Sequence, residues 1–251
     1  VTNTYEFGIL RVGGLLVAAA ALSAAFSGSI RSTASASAGP HVAAPNAAAV
    51  NALGADKGRF RILVNGQQVG QEEFEIVAQN GDWIARGATD IQSAQGNTHV
   101  TGALDLRADG TPANYQWSTQ GPKKASAAVA FNNAVATIEL HLGNARPYTQ
   151  QFTFPTARIA VLDDNLYDQY AVLARLYDWT KKGSQAFSVL VPQELTPGTV
   201  TVDSLGKQDW GGRQLEELRV KAEDNEINLY LDGLRVVGIV VPSANVEIVR
   251  E

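Results

Sequence analysis

The chain has 251 residues, 45% of them hydrophobic and 18% charged, with a formal net charge of −5. Those proportions argue against a wholly disordered chain, and an acidic sum with no basic stripe argues against a nucleic-acid partner. Cysteine is absent, which removes disulfides, thiol catalysis, Cys-ligated zinc and a lipid-modified Cys anchor together.

Residues 12–26, VGGLLVAAAALSAAF, form an uncharged apolar run after Arg11, and Ala36-Ser37-Ala38 offers the small residues that signal peptidase takes. Residues 1–38 are therefore expected to be a signal peptide cleaved after Ala38, which places the mature protein in the periplasm or outside the cell. The run is shorter than the roughly 20 residues that cross a bilayer. The alternative is an uncleaved N-terminal membrane anchor, which would be the chain's one route to the membrane. Residues 39–57 are rich in Ala, Ser and Pro and read as a disordered tether. Residues 58–251 are expected to form a single β-rich domain.

Within that domain, short β-type segments alternate with turn chemistry. Arg59 to Val64 meets Asn65-Gly66, Val69 to Gln79 meets Asn80-Gly81, and His99 to Arg107 meets Asp109-Gly110. This predicts an antiparallel meander of hairpins. Alternation assigns the faces: Phe74 and Ile76 oppose Glu73 and Glu75, and Ile138, Leu140 and Leu142 oppose Glu139 and His141. About eight such strands must curl, because a flat open sheet would expose its apolar face and edges. The fold class is thus mainly β, a curved meander forming a half-barrel or open barrel.

One helix is predicted, from Asp163 to Lys182, opening at the cap cluster Asp163-Asp164-Asn165 and stopping at Gly183. Leu166, Tyr170, Leu173 and Tyr177 form an apolar stripe that Tyr167, Ala171, Ala174 and Trp179 widen, leaving Asp168, Gln169, Arg175 and Asp178 as the wet side. Such a helix is expected to be packed in the concave face of the sheet. Strand-like segments resume at Ala186 and run to Val249.

With its leader, the Gly58-x-Phe60-x-Ile62 strand answered by Val69-Gly70-x-x-x-Phe74-x-Ile76, the aromatic helix and the closing pair Leu229-Tyr230-Leu231-Asp232-Gly233 and Arg235-Val236-Val237, the chain resembles the periplasmic half-barrel group that includes the lipoprotein carriers LolA and LolB. The resemblance spans about residues 58–251. It implies a concave apolar cavity suited to acyl chains.

No HExxH, P-loop, GxSxG or Rossmann glycine pattern occurs. No catalytic residue, metal ligand or cofactor is assigned. Asp163, Asp164, Asn165 and Asp168 form the best oxygen cluster for a divalent cation, but they read better as a helix cap. Glu73 and Glu75 share a strand face and read as solvated. Phe74, Ile76, Trp117, Tyr170, Leu173 and Tyr177 are the candidate cavity lining, with core packing as the alternative. The functional expectation is a non-catalytic envelope protein that binds a lipid-like or other apolar ligand, or an envelope protein partner. The alternatives are a structural or assembly subunit of a surface complex and an enzyme with a dispersed site.

Overall fold

The computed structural model describes residues 53–94, 96–122, 124–222 and 225–251. The expected leader and residues 39–52 of the tether lie outside the described residues. The fold begins earlier than residue 58: Leu53 is buried, and the first strand takes in Asp56 and Lys57. The first eight strands are β1 (Asp56–Val64), β2 (Gln67–Gln79), β3 (Asp82–Ser93), β4 (Gly96–Leu106), β5 (Pro112–Gln120), β6 (Ala125–Asn132), β7 (Val135–Leu142) and β8 (Tyr148–Thr153). A short β9 (Ile159–Val161) leads to helix α1 (Asp168–Leu176). Then come β10 (Gln185–Val191), β11 (Thr196–Trp210), β12 (Arg213–Lys221), β13 (Glu226–Asp232), β14 (Arg235–Val241) and β15 (Val246–Arg250).

All fifteen strands belong to one open sheet, in the order β8 to β1, then β15 down to β9. The predicted curved meander with a helix is the observed architecture. It consists of two meander wings joined where the first and last strands pair, Phe60 opposite Arg250 through Val64 opposite Val246. The β9–β10 pair is parallel, because the chain between them crosses the sheet through α1 instead of turning back at once. Asn65 and Gly66 both have positive φ, 51° and 76°, as a two-residue hairpin turn requires.

Phe74 and Ile76 are buried while Glu73 faces outward, so the period-two pattern of β2 is realised. Phe60 and Phe74 stack at 4.8 Å between ring centroids. Helix α1 lies against β3, β9 and β14, and all nine of its residues are buried. This corrects the expected helix in two ways. It runs from 168 to 176 only, and Asp168, Gln169 and Arg175 are inside the core, not on a wet side.

Long-range partners explain both corrections. Glu72 on β2 accepts the backbone N–H groups of Tyr167 at 3.0 Å and Asp168 at 3.2 Å, so a carboxyl group from a distant strand caps the helix in place of Asp163, Asp164 or Asn165. At the other end Arg175 bonds Asp56 at 2.8 Å, and Arg158 donates to the carbonyl of Leu176 at 3.0 Å. Chain polarity and helix dipole agree at both ends: acid at the N-terminus, guanidinium at the C-terminus.

Candidate functional site: an open trough on the outer sheet face

The β2–β3 and β3–β4 registers place Phe74, Gly87, Gly102 and Trp117 in one inward-facing row across β2 to β5. Two glycines in mid-strand weaken a sheet unless something approaches closely. Here something does: a Cβ on Gly87 would lie 2.6 Å from Glu72 Oε1 and 2.7 Å from Asp168 Oδ1, and one on Gly102 would lie 2.6 Å from Leu166 Cδ1. The entry to α1 thus presses directly on the backbone of β3 and β4.

On the opposite face the neighbouring residues are also small. One outward row runs Glu73, Ala88, Thr101, Ser118, Ser126, His141, and the next runs Glu75, Arg86, Ala103, Gln116, Ala128. The side chains between β3 and β6 are small except Gln116, and larger ones stand at the margins. The result is an open trough of about 840 Å³ floored by Gly87, Gly102, Ala103 and their small neighbours. Thr101 and Ser118 hydrogen-bond across the floor at 2.9 Å. Charge at the margins is mostly neutralised: Arg86 pairs with Glu75 at 3.0 Å, Arg59 pairs with Glu73, and His141 lies 2.9 Å from Glu139.

The predicted lining residues divide between trough and core. Phe74 and Trp117 border the trough, with their side chains buried on the far side of the sheet. Ile76, Tyr170, Leu173 and Tyr177 are packed in the core with α1. Tyr177 also donates its hydroxyl to the Gly183 carbonyl at 2.6 Å and meets Trp179 edge-on at 5.1 Å. The concave side is thus occupied by the helix, and the described opening is on the other face.

Two polar networks lie in the interior and hold the sheet to the helix. Tyr115 on β5 donates to Asp163 Oδ2 at 2.6 Å, Gln169 Nε2 donates to the Tyr115 hydroxyl at 3.0 Å, and the Asp163 N–H returns to Gln169 Oε1, which closes a ring. Gln193 N–H donates to Asp163 Oδ1 at 2.8 Å. Burial pushes the Asp163 carboxyl up to about 8 despite these donors. Burial and the nearby Glu194 push Asp164 up to about 7. In the second network Asp56 meets both Arg175 and Arg250, the latter at 2.7 Å. Burial alone would raise the Asp56 carboxyl, but the two guanidinium groups outweigh it and hold it below the ordinary range.

The acidic cluster weighed for a cation is dispersed among these roles. Asp163 faces Tyr115 and Asp168 faces Glu72; among the described residues no group of three or more His, Cys, Asp or Glu side chains is placed to hold a metal ion. Glu72 went unassigned in the sequence, although it has the same strand parity as Phe74 and Ile76. That parity was the available signal for its burial. Comparison with known family descriptions, with curated proteins and with solved structures finds no match.

Proposed function

We propose that the chain is an exported, non-catalytic binding protein of the cell envelope, whose trough on the β2–β7 wing holds an elongated apolar, acyl-like ligand. The trough is the observation that carries this reading: about 840 Å³ of open space over a floor of Gly, Ala, Ser and Thr. That lies within the range of small-molecule sites, about 300–1,000 Å³. A chain laid along such a floor gains about 0.8 kcal/mol per buried methylene. Thr101 and Ser118 share one hydrogen bond, so an apolar chain that covers them leaves only one of their two hydroxyl donors to find another acceptor. The apolar run at 12–26 and the small residues at 36–38 support export.

A second reading, as a subunit of a surface assembly, has its own support in β8. This edge strand, YTQQFT, carries no charge or proline, and Tyr148 is 51% exposed. Such an edge can accept a strand from a partner. Native mass spectrometry of protein purified without detergent separates the two readings. A mass excess that organic extraction removes as an acyl compound supports the binding protein, whereas a stoichiometric second polypeptide with no small molecule overturns it in favour of the subunit.

A further inference from the structure

Behind the trough floor, two carboxyl groups face each other, and among the described residues no Lys or Arg pairs with either. Glu72 is 0% exposed and Asp168 is 3% exposed, and their carboxyl groups lie within hydrogen-bonding reach. Glu72 Oε1 and Asp168 Oδ1 flank the same point, the vacant Cβ position of Gly87. Among the described residues, Asp168 Oδ1 has no donor. The groups packed around the pair do not neutralise it. Tyr167 lies near Glu72 and Tyr115 of β5 near Asp168, β3 brings Gly87 and Thr89, and the acids on the loop before the helix, Asp163 and Asp164, add no positive charge. Arg175 is committed to Asp56 at the far end of α1, and Arg235 of β14 approaches that same aspartate. Two ionised carboxylates repel and can only accept, so a hydrogen bond between them needs a proton. The amide N–H groups of Tyr167 and Asp168 already point at Glu72, a field that disfavours a metal cation at the same oxygens.

We propose that Glu72 and Asp168 hold one proton between them, and that this shared proton latches the N-terminus of α1 to β2 directly behind the trough floor. Loss of the proton puts two negative charges into a buried site and separates the helix entry from the strand. The electrostatics agree in direction. Burial, then the charge of Asp168, drives the Glu72 carboxyl well above the ordinary range, and burial raises Asp168 to about 6. The two titrate as a pair, with the upper step belonging to both.

Carboxyl carbon shifts of the labelled full chain, followed by NMR, and hydrogen exchange at the Tyr167 and Asp168 amides test the latch. The expected result is two carboxyl steps, the upper one above pH 6. Protection at the two amides then falls by up to about tenfold per pH unit as pH rises from the ordinary carboxyl range toward that step and levels off beyond it, the slope set by release of one proton. Asp168→Asn, whose amide can donate to Glu72, and Glu72→Gln, whose amide can donate to Asp168, should each make that protection markedly less dependent on pH, the remainder coming from Asp163 and Asp164. Joint titration of both carboxyls below pH 5, or variants that keep the wild-type pH profile, overturns the latch. If either variant fails to fold, the wild-type carboxyl titration alone still decides.

Discussion

The Asp163 carboxyl accepts from the Tyr115 hydroxyl and the Gln193 N–H, and it is nevertheless raised from 3.8 to about 8 because burial outweighs these two uncharged donors. Between these two values the folded chain retains a proton that the unfolded chain has released, so the stability it contributes is full below about pH 4 and is lost as pH rises toward 8. Asp164 acts in the same direction, up to about 7. Asp56 acts in the opposite direction: held low by Arg250 and Arg175, it stabilises above its unfolded value of 3.8 and loses that contribution as pH falls through its folded value. The melting temperature should therefore peak in mildly acidic buffer and decline from pH 5 to pH 8. Asp163→Asn, which mimics the protonated group, should make the decline shallower. Differential scanning calorimetry across that range checks the sign, and a melting temperature that climbs from pH 5 to pH 8 would contradict it.

The helix shows where local sequence is informative and where it stops being so. Leu166, Tyr170 and Leu173 could be placed in the core from their spacing, and all three are buried. Asp168 and Arg175 read as exposed because charged residues usually are, yet both are buried by partners about a hundred residues away, Glu72 and Asp56. The helix start was misplaced for the same reason, since its cap arrives from β2. Energetics follow the partners. Asp56→Ala leaves the buried Arg175 and Arg250 without a counter-charge and should cost about 3–5 kcal/mol. Leu173→Ala should cost about 2–5 kcal/mol as a core truncation. Arg213→Ala, which breaks an exposed pair with Asp232, should cost no more than about 1 kcal/mol. Urea denaturation ranks the three, and an Asp56→Ala effect as small as that of Arg213→Ala would show that the buried network contributes little.

Across the whole molecule, the meander is legible because each hairpin is specified by its own turn residues. The pairing of β1 with β15 is not, since it joins Phe60 to Arg250 with no local signal. The trough is invisible in the sequence for a related reason. Ala88, Thr101, Ala103, Ser118 and Ser126 are scattered small residues until the registers of β3 to β6 bring them side by side. The helix is packed in the concave face as expected, but its Tyr170, Leu173 and Tyr177 fill that face where they were expected to line a cavity, which leaves the outer face for the proposed ligand. Titration of a fluorescent long-chain acyl probe against wild type, Ala103→Trp and Ala130→Trp tests this most directly. Ala103 lines the trough, whereas Ala130 is exposed on the same wing without lining it. Saturable binding that Ala103→Trp abolishes and Ala130→Trp preserves, with both variants folded, is the predicted result; a folded wild type that fails to bind the probe, or equal binding by all three proteins, would contradict it.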